Sequence, residues 1–358
     1  MMRRVYLIRH GEPDFPGGKR MCLGRTDLPL SPVGRMRAAM AGAYLRDAGI
    51  SAVFSSPLRR TAGTAAHIGA PVSTDAGFAE ADYGVWDGLT FEEIRRDYPA
   101  LYARRGADPS ILPPGAESFA SRAARFSDAL SRALAASGGD IAVVTHASIT
   151  KSFLGKVLGL PPARSAALEL PYGGVTALEC GERLSVVSVG AAPRPALDEA
   201  LCAEFWACAE LPENIRAHCA AVAALAGELC LALNAAGRPL DAELTRSCAL
   251  LHDIARPYPE HASVGGAWLE ALGYPREGAI VRRHMALRFD GAVDEAAVVF
   301  IADKLLRGDT RTSIAGRYEA SRKKCLTPEA LAAHAARLCE ALAVRDAIND
   351  ICGKEVIQ

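Results

Sequence analysis

The feature that most constrains this chain is a change of pattern near residue 190. Before it, short apolar runs alternate with helical periodicity; after it, the pattern is helical throughout. Residues 5–8, 52–55 and 141–145 are brief apolar runs of the kind that fill buried parallel strands. Helical patterns over 31–48 and 118–136 lie between them. Ser31-Pro32 opens the first of these with a capping hydroxyl and a first-turn proline. This alternation predicts an α/β unit with a three-layer, mostly parallel sheet. Gly190-Ala191-Ala192-Pro193-Arg194-Pro195 reads as a linker. Helical patterns follow at 214–234, 241–255, 261–272, 276–285, 294–306 and 328–351, and no strand is expected after 195, so the second unit is predicted to be all-α. The expected boundaries are 1–190, a linker over 191–197, and 198–358.

Composition narrows the classes. With 358 residues, each unit can bury its own core. Half the residues are hydrophobic but only 6% are aromatic, so the cores are built from Ala, Leu and Val. Lys and Arg number 41, as do Asp and Glu, so no excess charge calls for a nucleic-acid or membrane-surface partner. No stretch reads as the ~18–20 apolar residues of a spanning helix. The basic start Met1-Met2-Arg3-Arg4 precedes an apolar run too short for a signal peptide. A cytoplasmic location with no membrane partner is the expectation. None of the ten cysteines forms a Cys-x-x-Cys pair, and Cys219, Cys230 and Cys248 sit inside helical patterns. They read as reduced core residues rather than a disulfide or zinc framework.

Chemistry-bearing residues collect at the carboxyl ends of the three predicted strands, where α/β sheets place their sites. Arg9-His10 follow the first strand, Ser56-Pro57-Leu58-Arg59-Arg60-Thr61 the second, and His146 the third. Two histidines and at least two arginines on one rim make an anion site with a nucleophile. Phosphoryl transfer needs such a set, because charge spreads over three equatorial oxygens.

Several segments in order carry a family resemblance. They are Arg9-His10-Gly11-Glu12, residues 24–31, Ser55-Ser56-Pro57-Leu58-Arg59-Arg60-Thr61, Glu80 with Tyr83-Gly84-Val85-Trp86-Asp87-Gly88, Pro114-Gly115-Ala116-Glu117-Ser118, and Val143-Val144-Thr145-His146. Over residues 2–190 the chain resembles the histidine phosphatase superfamily, also called phosphoglycerate mutase-like. The resemblance implies that His10 is the nucleophile that becomes phosphohistidine. Arg9 and Arg60 would bind the phosphoryl oxygens, and His146 would stabilise the transferring group. Glu80 would protonate the leaving alkoxide and later activate water. Arg25 is expected to contact substrate, and this unit is expected to need no cofactor. The family spacing from Pro57 selects Arg60 over Arg59. Trp86 is expected as a packing anchor and His67 as structural. Two departures stand out. Ala147 follows His146 where the family usually has Gly, and the stretch between Glu80 and Glu117 is short. The short stretch favours phosphatase over mutase, closest to the α-ribazole phosphatase-like branch.

In the second half, polar residues interrupt apolar helix faces. His218 shares a stripe with Val222, Leu225 and Leu229; His252-Asp253 end the run 248–251; His261 aligns with Val264 and Trp268; His284 aligns with Ile280 and Val281; Asp303 interrupts 298–302. Buried carboxylates cost several kcal/mol unless paired or metal-bound. Five helices each offering imidazole or carboxylate point to a metal centre. The order His…His-Asp…His…His…Asp over 196–355 resembles the HD phosphohydrolase superfamily. His261 and His284 resemble its two-metal subgroup, which includes diadenosine tetraphosphate hydrolases. The resemblance implies one divalent metal on His218, His252, Asp253 and Asp303, and a second on Asp253, His261 and His284. Fe or Mn suits the mixed ligands best, with Mg or Zn open. Arg256 is expected to touch a substrate phosphate. His334 is expected to be structural, and Lys304 and Arg307 to line the entrance or be solvated.

Together these features imply a bifunctional phosphohydrolase acting on small phosphorylated metabolites or nucleotides. The first half would hydrolyse monoesters; the second, a nucleotide-like ester or anhydride. Fusion suggests that the second half releases a monophosphate for the first. Two alternatives stand: a phosphatase regulated by a nucleotide-sensing HD module, and a mutase-type phosphotransferase. Loops such as 14–22 and 98–114, which would set the substrates, carry no decodable pattern.

Overall fold

The computed structural model describes residues 3–323 and 325–357; Met1 and Met2 of the opening segment lie outside it. The chain divides into two compact units, Met1–Pro195 and Ala196–Gln358. In the first, the elements in order are β1 (Arg3–Arg9), α1 (Pro32–Leu45), β2 (Ile50–Ser55), α2 (Arg59–Ala65), β3 (Val72–Thr74), α3 (Phe91–Asp97), α4 (Pro99–Ala107), α5 (Phe119–Ala135), β4 (Asp140–Thr145), α6 (Ala147–Leu158), α7 (Pro162–Ala166), β5 (Val175–Cys180) and β6 (Leu184–Ala191). They build one six-stranded sheet in the order β3-β2-β4-β1-β5-β6.

The three strands read from the sequence form the parallel centre, with Val5 opposite Ile141 and Val53 opposite Ala142. Alternation sends successive side chains to opposite faces. Val5, Leu7, Ile141 and Val143 pack with Phe126 of α5 and Phe153 of α6. Ile8, Ala142 and Val144 pack with Ala41 and Leu45 of α1. Both faces are therefore covered, giving three layers. Ser31 caps α1 by accepting from the Gly34 N–H, and Ser118 caps α5 in the same way. β5 and β6 are antiparallel and were not anticipated; β6 is only partly buried, so it offers no continuous apolar run. The stretch 98–114, read as loop, begins with α4.

The second unit contains α8 (Glu199–Cys208), α9 (Glu213–Ala235), α10 (Ala242–Leu251), α11 (His261–Ala271), α12 (Pro275–Arg283), α13 (Glu295–Lys304), β7 (Leu306–Arg307), β8 (Thr310–Arg311), α14 (Ile314–Arg322) and α15 (Pro328–Cys352). Two expectations need correction. First, strands do follow residue 195: β7 and β8 make a two-residue hairpin turning at Gly308. Its pairs are too short to leave a periodic signal. Second, α9 is long and apolar enough by length and composition to cross a membrane, with mean hydropathy 1.5. The reason is its Ala, Leu and Cys content. Half of that stretch is buried within the fold, and it packs Val222, Leu229 and Leu233 into the core. All ten cysteines are free thiols, six of them buried.

Candidate functional site

The first unit gathers Arg9, His10, Glu80 and His146 where β1 and β4 end. The His10 N–H donates to the Thr145 carbonyl (3.0 Å) and the Ser56 N–H to the Val144 carbonyl (3.0 Å), tying the three strand ends together. His10 Nδ1 donates to the Gly11 carbonyl at 2.7 Å. That bond fixes the tautomer and leaves Nε2 with its lone pair. The ring lies 4.9 Å from His146, edge to face. Burial, then the charges of Arg60 and Arg9, push the His10 pKa well below its usual value. His146 is lowered for the same reasons, with His10 adding to the effect. Both imidazoles are therefore neutral near pH 7.

Arg60 is fully buried and Arg59 is exposed. Its Nη1 and Nη2 donate to the carbonyls of Thr26 (2.8 Å) and Gly24 (2.7 Å). Arg9 donates to the Leu170 carbonyl (2.6 Å) and lies 3.8 Å over the Tyr172 ring. His146 Nε2 meets the Ser56 hydroxyl at 2.9 Å. Glu80 sits at the start of α6, accepting from the N–H groups of Ala81 (2.8 Å), Ser148 (3.1 Å) and Ile149 (3.0 Å). Its segment is pinned by the Thr145 hydroxyl on the Phe78 carbonyl and by Arg125, which pairs with Glu117.

A cavity of about 290 Å³ opens on this group. Arg25 does not line it: the side chain is exposed and its backbone N–H is held by Asp87. Trp86 is buried against Ile94 and Cys22, as a packing anchor would be, but it also forms cavity wall. His67 stands apart from the cavity. Sequence reasoning missed Tyr172, Arg20, Arg105 and Ser148, all of which line it. Tyr172 carried a usable signal: Gly173 and Gly174 follow it. Gly173 has φ 70° and donates its N–H to the Arg9 (3.0 Å) and His10 (3.2 Å) carbonyls.

In the second unit, α9, α10, α11, α12 and α13 bring six predicted residues together. Ligand atoms of His218, His252 and Asp303 lie within 4.8 Å of one another, as do those of Asp253, His261 and His284. Asp253 lies between the sets, Oδ2 3.7 Å from His252 Nε2 and Oδ1 3.1 Å from His261 Nε2. His218, His252 and His284 each donate from Nδ1 to a backbone carbonyl, of Gly308 (2.7 Å), Ala249 (2.8 Å) and Val281 (2.7 Å). This leaves Nε2 free to coordinate, the usual arrangement behind a metal-bound imidazole. His252 Nε2 is buried without a hydrogen-bond partner, and the Nε2 atoms of His261 and His284 face each other at 3.2 Å. An orphaned buried nitrogen and two facing imidazoles fit divalent metal ions. Burial and the neighbouring histidines lower His252 to about 4. Burial alone would raise Asp253, but the surrounding imidazoles hold it far below the carboxylate range.

A cavity of about 240 Å³ lies over these groups. Arg256 lines it, 3.8 Å from Asp253. Lys304 also lines it and is buried rather than solvated, with Nζ 2.6 Å from Asp303 and 3.1 Å from the His284 carbonyl. Arg307 is exposed. Arg317, not anticipated, also lines this cavity. His334 is buried away from it, bonded to Ser321 and the Tyr318 carbonyl.

Family comparisons agree with this division. The histidine phosphatase superfamily (branch 1) model matches residues 5–190 and the HD domain model matches 215–308. The chain belongs to the histidine phosphatase superfamily and carries an HD domain behind that unit. Among its relatives, a protein of Mycobacterium tuberculosis named as bifunctional is 38% identical over 157 residues, 42% of this chain and 43% of that protein. A glucosyl-3-phosphoglycerate phosphatase of Mycobacterium tuberculosis is 31% identical over 179 residues, 46% of this chain and 80% of that protein. A solved structure called mycobacterial hydrolase 2 superposes with TM-score 0.50 at 27% identity, covering 57% of this chain and 96% of that one. The chain spans less than half the length of the bifunctional relative.

Proposed function

We propose that this chain is a bifunctional phosphohydrolase: a phosphomonoesterase working through phosphohistidine, joined to a metal-dependent hydrolase of a nucleotide-like ester or anhydride. The observation that carries the first half is the neutral His10 ring, its Nδ1 proton fixed on Gly11, between two arginines and a carboxylate. His10 Nε2 attacks phosphorus and the bond to the leaving oxygen breaks. Arg9 and Arg60 offset charge on the phosphoryl oxygens. Glu80, which must enter this step protonated, gives that proton to the departing alkoxide and, then a carboxylate, takes one from the water that releases phosphate and regenerates His10.

In the second half, His218, His252 and Asp303 would hold one divalent ion, and Asp253, His261 and His284 another, with Asp253 shared. Such ions supply an activated water and offset charge on phosphoryl oxygens. Arg256, Lys304 and Arg317 place positive charge around the same cavity, where a phosphate chain would lie. The pairing of two complete sets supports sequential action, the second unit releasing a monophosphate that the first hydrolyses.

Phosphorus NMR of the full chain tests this, with Mn or Fe(II) and a panel of nucleotides, dinucleoside polyphosphates and sugar phosphates. The expected result is cleavage of an ester or anhydride, with a monophosphate accumulating in His10→Ala and no cleavage in Asp253→Ala. Consumption of monoesters alone, abolished entirely by His10→Ala, overturns the sequential reading.

A further inference from the structure

The His10 cavity contains more positive charge than one phosphoryl group needs. Arg9 lies on its floor beside His10, with Arg60 buried beneath. Arg20, which is exposed, and Arg105 line the same cavity. Glu80 is the single carboxylate among the described lining residues, and three backbone N–H groups already hold it. Asp87, which holds the 24–26 loop, is engaged by the N–H groups of Gly24 and Arg25. Among the described residues neither Arg20 nor Arg105 forms an ion pair. Arg105 is half-buried, its Nη1 anchored on the carbonyls of Pro109 and Ile111 and its guanidinium carbon 5.9 Å from the Trp86 ring centroid. Arg20 is close enough to Arg9 for repulsion between them to register on Arg9. Like charges gathered without counter-charge are costly in a concave, partly desolvated site, and an anionic ligand removes that cost. Phe15, Trp86 and Phe91 supply apolar wall in the same cavity as these arginines and His10.

We propose that Arg20 and Arg105 form a second anion subsite, and that the substrate is a phosphomonoester bearing a further carboxylate or phosphate on an apolar body. This rests on the phosphomonoesterase reading for how the first phosphate is held. A monoester of a neutral body, such as a simple nucleoside-like phosphate, leaves both arginines without counter-charge.

The test compares 4-carboxyphenyl phosphate with its neutral isostere 4-carbamoylphenyl phosphate, using the full-length chain and Arg20→Gln/Arg105→Gln. Phenylene 1,4-bisphosphate is the third probe and tells a phosphate preference from a carboxylate one. At least one anionic ester is expected to exceed the neutral one in kcat/KM by about tenfold, mainly through KM, and the double variant to reduce that ratio to about one. Calorimetric titration of His10→Ala with the same three esters is expected to give the same ratio in Kd, so the answer does not depend on turnover. A ratio of about one in the parent chain, or a ratio that survives both substitutions, overturns the subsite. If none of the esters is hydrolysed but the Kd ratio and its loss hold, the subsite stands and the phosphomonoesterase reading falls. If hydrolysis depends on His10 and the ratio is about one, the reverse follows.

Discussion

Burial and two arginines keep the His10 imidazole neutral, and the same setting makes it pH-sensitive. Its folded pKa is lowered, as is that of His146. A depressed pKa means the unfolded chain takes up protons first as pH falls. The stability these histidines contribute is therefore complete above the ordinary imidazole value of 6.5 and is lost as pH falls from there toward their folded values. Each adds a slope of up to about 1.4 kcal/mol per pH unit over that range. Ring-carbon NMR titration is expected to find His10 still neutral at pH 6.5, where an exposed histidine is half protonated; a half-protonated His10 there contradicts the burial argument. His10, Arg60 and His146 were legible because each follows a strand end, and Glu80 through the family resemblance. Arg20 and Arg105 were not, since they reach the cavity from segments whose course depends on tertiary packing; Tyr172 was marked only by the Gly173-Gly174 pair after it. In the sequence only the family spacing from Pro57 tells Arg60 from Arg59; packing separates them physically, with Arg59 exposed and Arg60 clamped by two carbonyls.

Helix pairing sets the spacing of the proposed metal ligands His261 and His284. α11 begins at His261, and α12 ends one residue before His284. The two helices approach through Gly266 and Gly278. A Cβ at Gly278 would lie 2.6 Å from the Gly266 carbonyl oxygen, and one at Gly266 would lie 2.7 Å from the Gly278 carbonyl oxygen. Backbone cannot yield at those distances without moving the helices apart. Gly278→Ala is thus expected to cost about 1–3 kcal/mol and to separate His261 from His284. Metal analysis should then find the ratio per chain falling from about two toward one, with a lower Tm. Unchanged metal content and Tm would mean that the crossing does not set the ligand spacing. Element positions were readable wherever periodicity ran long, as in α9 and α15. They were lost where an element was brief or half-exposed: β3, β6, and the β7–β8 hairpin whose Gly308 carbonyl accepts from His218. The expected helix over 241–255 ends at Leu251, so His252-Asp253 occupy turns rather than a helix face.

At the scale of the whole chain, the two units carry two side-chain groups of different make-up. The His10 group is built from imidazole, guanidinium and carboxylate side chains, with Arg9 and Arg60 supplying positive charge. The Asp253 group concentrates carboxylates and imidazoles whose free nitrogens call for a cation. Their pattern change near residue 190 was readable because a parallel sheet and a helical bundle impose different hydrophobic periods. Substrate identity was not, because it rests on side chains such as Arg20, Arg105 and Arg317 that no period organises. Chelation should therefore divide the activities. Dialysis against EDTA is expected to abolish the hydrolysis that Asp253→Ala abolishes. Turnover of a monoester such as 4-carboxyphenyl phosphate should persist and remain sensitive to His10→Ala. Readdition of Mn should restore the first activity and stabilise the second unit by about 2.7 kcal/mol per bound ion at a hundredfold excess over Kd, raising its thermal transition. Loss of monoester turnover on chelation, recovered with metal, would instead show that the HD unit governs the phosphatase unit, as a sensing module would. That outcome and retained turnover cannot both occur, so a single titration of metal against the two substrates separates paired catalysis from regulation.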